Sequence, residues 1–138
     1  METAETQRIR EGHKHSLNVR WDELDANRHV NNKNYQGYLD EARMRAMRDW
    51  GAPMDEFADK GFGPVILNLS LKFIKEICYP EEITIESDLV LTSPTRAVFE
   101  QKILLSNGKI ACQANTEWTL LDLNRKRPAK FLEVLPLV

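Results

Sequence analysis

The 138-residue sequence has few of the features that mark a membrane, secreted or nucleic-acid-binding protein. Its two cysteines, Cys78 and Cys112, are too few for a disulfide framework and are not spaced like metal ligands. The first residues form no apolar core of a signal peptide, and no apolar run approaches transmembrane length. The formal net charge is only −2, so electrostatics give no reason to expect nucleic acid as a partner. We therefore expect a cytoplasmic protein with neither a membrane nor a nucleic-acid partner.

The sequence also lacks a glycine-rich phosphate loop, a metal-ligand motif, internal repeats and low-complexity segments, so we expect no metal and no organic cofactor. Its apolar fraction of 42% and charged fraction of 29% are those of a soluble globular protein. The length fits one domain with a real core. We predict a single domain over residues 1–138, with a core at about residues 13–122, a polar N-terminal segment and a C-terminal extension.

One stretch of the sequence has the periodicity of a helix. From Asn32 to Trp50, apolar residues recur on one helical face. Asn31 or Asn32 can cap the start, and Gly51 with Pro53 ends the pattern. The predicted apolar face comprises Tyr35, Tyr38, Leu39, Ala42, Ala46 and Trp50, while the charged residues, including Arg43, lie mostly elsewhere.

Five stretches alternate apolar and polar residues, the pattern of half-buried strands. One precedes the helix and four follow it, at residues 15–21, 65–74, 83–91, 97–105 and 110–121. In the first, Leu17, Val19 and Trp21 share a face. The Asn-Gly pair in Ser106–Lys109 favours a tight hairpin turn whose two central residues have positive φ.

This order of elements predicts an α+β fold. One helix cannot cover both faces of a five-stranded sheet, so the natural packing is an antiparallel sheet wrapped around one long helix. The other face of the sheet is then exposed to solvent or forms a contact with another subunit. Exposed sheet edges commonly pair, and we expect a dimer.

A polar run, DANRHVNNKNY (Asp25 to Tyr35), leads directly into the helix. A helix N-terminus presents unpaired backbone N–H groups and the positive end of the helix dipole, which suit a developing oxyanion. Asp25 beside such donors, around Asn31 to Lys33, would form a hydrolytic pair in which the carboxylate activates water or attacks directly. Turns and helix caps also favour Asp and Asn, so the residues alone leave both interpretations open.

The wider segment VRWDELDANRHVNNKNYQGYLDEAR, Val19 to Arg43, resembles the signature of the 4-hydroxybenzoyl-CoA thioesterase-like branch of the hotdog superfamily. It is similar to the D-x-x-x-H-V-N-N and D-x-N-x-H-V-N-N runs of long-chain acyl-CoA and plant-type acyl-ACP thioesterases. The order of elements agrees from about His13 to Leu121. The resemblance implies a hotdog fold and an acyl thioesterase of fatty acid metabolism. Its substrate would be an acyl-CoA or acyl carrier protein thioester, cleaved to free acid and thiol.

The same resemblance implies roles for individual residues. Asp25 matches the catalytic Asp, as nucleophile or general base, and the backbone N–H at Asn32 matches the group that polarises the thioester carbonyl. Asn27 and His29 match an Asn and a His used by the acyl-ACP type, whose further acid the sequence does not place. Asn27 can equally hold the turn, and His29 can bond the backbone or pack at a subunit seam.

Other features of the sequence have a structural and a functional interpretation. Asn31 caps the helix or contacts substrate, while Tyr35, Tyr38 and Leu39 line an acyl slot or pack in the core. Cys112 is predicted to be a buried structural thiol, and Glu41 is a minor candidate for the neighbouring subunit's site. Two interpretations apply to the basic residues of Asn124–Lys130 and to Lys72 and Lys75. In one, they contact the phosphates of coenzyme A or of phosphopantetheine; in the other, they are solvated surface charges.

Two alternatives to a thioesterase remain open on the sequence. One is a hotdog hydratase or dehydratase, and the other is a non-catalytic protein that binds acyl thioesters. For the thioesterase we expect a homodimer or homotetramer, with coenzyme A or phosphopantetheine entering only as part of the substrate.

Overall fold

A computed structural model describes residues 6–135 of the chain. It contains a long helix, α1, and a short one, α2, together with six strands. Their bounds are β1 Gln7–Asn18, α1 Asn32–Asp49, β2 Phe62–Phe73, β3 Glu82–Ser93, β4 Arg96–Leu104, β5 Ile110–Asp122, β6 Arg127–Pro128 and α2 Phe131–Val134. Short 3-10 turns occupy Trp21–Glu23, Met54–Glu56 and Ala58–Lys60. Among the helices of residues 6–135, none has the length and apolar character needed to cross a membrane.

Five antiparallel strands form a curled sheet in the order β1-β3-β4-β5-β2, and the short β6 pairs with the end of β5. Helix α1 packs in the concave face, where its apolar side chains meet inward-pointing residues of the strands. The predicted α+β fold, a five-stranded antiparallel sheet around one long helix, is confirmed, with β6 and α2 as additions.

The first strand differs most from its predicted position. β1 begins at Gln7, so part of the predicted polar N-terminal segment is strand, while residues 1–5 and 136–138 of the predicted domain lie outside the described residues. β1 ends at Asn18, and Trp21 starts a 3-10 turn with 67% of its surface exposed. The prediction that Trp21 shares the strand's face is wrong. The Glu23 side chain accepts a hydrogen bond from the Arg20 amide at 2.7 Å, which bends the chain before the alternation can continue.

Helix α1 begins and ends where the sequence predicts. Asn31 is the cap, and its side chain accepts a hydrogen bond from the Lys33 amide at 3.1 Å. Gly51, at φ 86°, follows the end of the helix. The face predicted to be apolar is buried at Tyr35, Tyr38, Leu39, Ala42 and Ala46, and partly buried at Trp50.

The sequence pattern groups Arg43 with the charged residues that lie mostly away from the apolar face, and for Arg43 this is wrong, because only 7% of its surface is exposed. Its guanidinium donates to Gln101 Oε1 at 3.1 Å and Thr116 Oγ1 at 3.3 Å. Gln101 Nε2 in turn donates to Ser87 Oγ at 3.0 Å and to the Leu39 carbonyl at 3.1 Å. These polar side chains form a layer across the core, between the two apolar clusters that α1 makes with the sheet.

The hairpin between β4 and β5 uses one left-handed residue and not the predicted two. The Gly108 amide donates to the Leu105 carbonyl at 2.8 Å, and Gly108 has φ 83° whereas Asn107 does not have positive φ. This is a β-turn followed by a bulge at glycine, the usual geometry of a three-residue hairpin loop.

Strand β2 lies at one edge of the sheet with apolar side chains in contact with solvent. Val65, Ile66, Leu67 and Phe73 are all exposed, Ile66 by 55% of its surface. Among residues 6–135, its backbone pairs only with β5, on one side. The alternation of apolar and polar residues predicted this strand correctly. It did not predict that so much apolar surface of the strand is exposed in a single chain.

Candidate active site

The polar run ahead of α1 folds as a tight loop on a small antiparallel ladder. Leu24 pairs with Val30, and His29 pairs with Cys78. The Val30 amide donates to the Ile77 carbonyl at 2.8 Å, which ties the loop to the segment that follows β2. Val30 and Ile77 are buried in the core, so the residues beside them in sequence point outward.

Asp25 closes this loop with its own carboxylate. Asp25 Oδ1 accepts hydrogen bonds from the Asn27 amide at 2.8 Å and from the His29 amide at 3.2 Å, while the Asp25 amide donates to the His29 carbonyl at 2.8 Å. Arg28 sits at φ 65° in the same turn. No group of residues 6–135 donates a hydrogen bond to Oδ2. The turn interpretation and the catalytic interpretation of Asp25 are therefore compatible, because each needs a different carboxylate oxygen.

The start of α1 offers one unused backbone donor. The Lys33 amide is taken by the Asn31 side chain, and the Asn34 amide donates to the Asn31 carbonyl at 2.9 Å. The Asn31 amide donates to the Glu23 carbonyl at 2.9 Å. Within the described part of the chain, the Asn32 amide donates to no oxygen. This is the position at which the family resemblance places the donor to the thioester carbonyl.

Glu23 holds the loop against the helix, a role that the sequence does not reveal. Its carboxylate Oε1 accepts from Tyr38 Oη at 2.8 Å as well as from the Arg20 amide, and its carbonyl accepts from Asn34 Nδ2 at 2.9 Å. Burial, together with the hydrogen bond to Glu23, raises the pKa of Tyr38, so this phenol stays protonated and remains a donor.

His29 lies beside a carboxylate that is distant in the sequence. His29 Nε2 is 3.0 Å from Glu76 Oε2; the His29 side chain is partly exposed and that of Glu76 is exposed. Asn27 is exposed and contributes its amide to the Asp25 turn. The structure thus brings Asp25, Asn27, His29 and the helix start together on one loop, and adds Glu76. Glu76 lies close to His29 because His29 pairs with Cys78, two residues after Glu76, across the two segments.

The tyrosines predicted to line an acyl slot are buried beneath the end of β2. Tyr35 makes an edge-to-face contact with Phe73 at a centroid distance of 4.9 Å and lies 6.5 Å from the Tyr38 ring. Burial raises the pKa of Tyr35 to about 12, so it is a neutral aromatic wall and not a base. Phe73 and Ile74 are exposed at this end of β2, where they continue the apolar surface outward.

The remaining candidates lie apart from this loop. Cys112 is buried, and burial raises the pKa of its thiol, in agreement with a structural role. Glu41 is exposed and accepts from Arg45 Nε at 3.1 Å, an i,i+4 pair on the helix surface. The basic run forms an exposed turn into β6, and Lys72 and Lys75 are exposed at the end of β2.

Comparison with known proteins identifies the family. Residues 19–136 match the profile of the thioesterase-like superfamily. A putative esterase of Aquifex aeolicus is 30% identical over 120 residues, which cover 85% of this chain and 92% of that protein.

Solved structures of low sequence identity share the fold. DHNA-CoA thioesterase of Staphylococcus aureus matches with a TM-score of 0.80 and 20% identity, over 91% of this chain and 84% of that one. The S. aureus protein SAV2348, solved in complex with CoA, matches with a TM-score of 0.81 and 16% identity, over 92% and 80%. The architecture is the hotdog fold, and the chain belongs to the thioesterase-like superfamily.

Proposed function

We propose that the protein is an acyl-CoA thioesterase whose catalytic groups are the Asp25 carboxylate and the Asn32 backbone amide. Family membership supports thioester hydrolysis, and two structural neighbours, one named a DHNA-CoA thioesterase and one solved with CoA, favour coenzyme A as the thiol. The observation that carries the proposal is that, within residues 6–135, one carboxylate oxygen of Asp25 and the Asn32 amide are both left without a hydrogen-bond partner on one loop–helix unit. Acyl carrier protein is the alternative thiol carrier.

The proposed reaction uses the two groups on opposite sides of one carbonyl. The thioester oxygen accepts a hydrogen bond from the Asn32 amide, where the helix dipole favours the negative charge that develops. Asp25 Oδ2 takes a proton from water as the water oxygen attacks the carbonyl carbon, or attacks the carbon itself to form an anhydride that water then opens. The carbon–sulfur bond breaks and the thiolate leaves. No metal or organic cofactor enters these steps.

His29 and Asn27 serve the reaction indirectly in this proposal. Both donate backbone amides to Asp25 Oδ1, so they fix the direction of the carboxylate. In an Asn/His-centred mechanism, Glu76 would be the further acid that the sequence does not place. If His29 were the base, the Glu76 carboxylate would orient the imidazole through the 3.0 Å contact.

A homodimer completes the site in this proposal. The exposed apolar side chains of β2 and the unpaired edge of that strand are suited to antiparallel pairing with β2 of a second copy. Phe73 and Ile74, at the end of β2 next to Tyr35, would then form part of a covered apolar slot for the acyl chain. Association of two dimers into a tetramer is compatible with the same pairing.

Antiparallel pairing of β2 with its copy also places a basic segment near the site. Phe62 and Phe73 mark opposite ends of β2, and Phe62 pairs with Asp122, at the start of the turn that carries Arg125 and Lys126. Around a two-fold axis, the Phe62 end of one β2 lies beside the Phe73 end of the other. Each exposed basic turn would therefore lie near the opposite subunit's site, where it could contact the phosphates of coenzyme A.

Thiol release from acyl-CoAs of different chain length, with Asp25→Asn beside wild type, tests the proposal. Asn keeps the oxygen that accepts from the Asn27 and His29 amides, so the turn remains, but it cannot take a proton. We expect wild type to release thiol and Asp25→Asn to lose at least about 100-fold in kcat with unchanged unfolding. Asp25→Ala removes the turn acceptor as well and serves as the comparison.

Three outcomes would contradict the proposed function. If Asp25→Asn hydrolyses like wild type, the carboxylate is not the base. If His29→Gln loses more activity than Asp25→Asn, the His29–Glu76 pair is the catalytic unit. If wild type binds acyl-CoA without releasing thiol, the protein is an acyl-thioester-binding member of the family.

A further inference from the structure

A histidine, a glutamate and a cysteine converge on the outer side of the active-site ladder. His29, Glu76 and Cys78 each offer one ligand atom, and these atoms all lie within 4.8 Å of one another. The His29 and Glu76 atoms are already 3.0 Å apart. Imidazole nitrogen, carboxylate oxygen and thiolate sulfur are the three ligand types that zinc uses in proteins.

The backbone fixes this convergence. His29 and Cys78 are directly paired across an antiparallel bridge, so their side chains lie on the same side. Glu76 lies two residues before Cys78, and successive side chains of an extended segment alternate, so Glu76 also points to that side. Val30, which follows His29, and Ile77, which lies between Glu76 and Cys78, are buried on the opposite side. The three ligands are therefore presented together by backbone that the core holds in place.

The distances fit a tetrahedral ion after a small movement. Ligand atoms bound to one tetrahedral zinc ion stand about 3.4–3.7 Å apart, given metal–ligand bonds of about 2.0–2.3 Å. Reaching that spacing from 4.8 Å or less needs only a side-chain rotation. Glu76 and Cys78 are exposed, so a bound ion would take its fourth ligand from solvent.

We propose that His29, Glu76 and Cys78 form a binding site for a thiophilic divalent cation, with Zn²⁺ as the preferred ion. Neutral imidazole, carboxylate and thiolate together carry a charge of −2, which balances the ion. Binding releases the thiol proton and any imidazolium proton to solvent. The ion occupies His29 Nε2 and displaces its contact with Glu76. The proposal does not depend on the hydrolytic function, which the metal-free protein would perform.

Cobalt(II) absorption of the chelator-treated, reduced protein tests the site directly. We expect one Co²⁺ per chain, with a thiolate-to-cobalt charge-transfer band and the intense visible bands of a tetrahedral ion, and we expect Zn²⁺ to displace it. Cys78→Ser should abolish the charge-transfer band. Glu76→Gln and His29→Gln should weaken cobalt binding at least about tenfold, since loss of even an outer-shell partner of a ligand costs about 10–100-fold in metal affinity.

Matched controls are available for each ligand. Cys112→Ala removes the buried thiol, while Glu81→Gln and His15→Gln alter side chains outside the cluster, and all three should bind cobalt like wild type. A spectrum without a charge-transfer band in wild type, or a band that survives Cys78→Ser, would overturn the proposal. Hydrolysis is assayed on the same protein without metal, so a failure of the proposed function and a failure of the metal site remain distinguishable.

Discussion

Asp25 has a structural role in the loop that leaves room for the proposed catalytic one. Its Oδ1 accepts from the Asn27 and His29 amides, as Asp does in many turns, while Oδ2 is left for chemistry. Local spacing allowed a turn role and a catalytic role, and the family resemblance implied the catalytic one, which stays a prediction. The sequence did not predict Glu76, which reaches His29 only through the pairing of His29 with Cys78. Contacts of that kind depend on tertiary structure and leave no periodic signal.

The two cysteines differ in exposure, and their reactivity should differ accordingly. Cys78 is exposed, whereas Cys112 is buried and its burial raises the pKa of the thiol to about 11. Thiolates are the reactive form, so the higher pKa and the burial both slow alkylation at Cys112. We expect iodoacetamide at pH 8 to add one group to the native protein and two after denaturation, as measured by mass spectrometry. The native adduct should map to Cys78 and be absent from Cys78→Ala; rapid native labelling of Cys112 would contradict its buried position.

At the scale of elements, the cap of α1 links stability to the site. The Asn31 side chain accepts from the Lys33 amide, and its backbone amide holds the Glu23 carbonyl. Asn31→Ala should lower the free energy of unfolding by about 1 kcal/mol, since an uncapped first turn loses one hydrogen bond. Because the same turn presents the Asn32 amide, kcat should fall more than KM changes. Urea denaturation and steady-state kinetics measure the two effects, and Asn31→Ser, which keeps a capping oxygen, should restore both.

The layer around Arg43 is where reasoning from helical periodicity fails. Periodicity places charged residues outside, and it cannot detect that Gln101, Thr116 and Ser87, each on a different strand, lie opposite Arg43. Around this layer the prediction holds, because Leu39 and Ala42 pack on apolar strand residues as the spacing predicts. Element order, helix bounds and most inward faces therefore follow from local pattern, whereas the polar layer follows from which strands become neighbours.

Removal of the Arg43 guanidinium should lower the free energy of unfolding. Gln101 Oε1 and Thr116 Oγ1 would lose their donor inside the core. We expect Arg43→Ala to lower the free energy of unfolding by about 3 kcal/mol, as is typical when buried polar groups lose a charged partner. In urea denaturation, Arg43→Met with Gln101→Leu should cost less than the sum of the two single changes, because neither partner of the Arg43–Gln101 hydrogen bond is then left buried without the other. Simple additivity would show that the layer is not coupled.

For the whole molecule, the uncovered edge strand is the feature that one chain cannot explain. Ile66 and Leu67 are exposed on β2, while Phe57, Phe99 and Trp118 are buried in the interior. The proposed pairing of β2 with its copy would cover these side chains. Ile66→Lys should therefore yield a monomer by light scattering and lose hydrolysis, since a charge at a strand edge opposes pairing. Leu132→Lys, an exposed apolar residue on α2, is the control and should leave the assembly unchanged.

The proposed role of the basic turn depends on the same assembly and on the identity of the thiol. Arg125 and Lys126 are exposed, so reversing both to Glu should leave the fold intact. If the turn contacts the phosphates of coenzyme A in the opposite subunit, KM for acyl-CoA should rise about tenfold, the effect of ~1.4 kcal/mol, with kcat preserved. KM for an acyl-pantetheine without phosphates should not change. Lys102→Glu, exposed on β4 between the buried residues Gln101 and Ile103, is the control for reversal of a surface charge outside the turn. An unchanged KM for acyl-CoA would remove the basic turn from the substrate site and favour phosphate contacts at Lys72 and Lys75 instead.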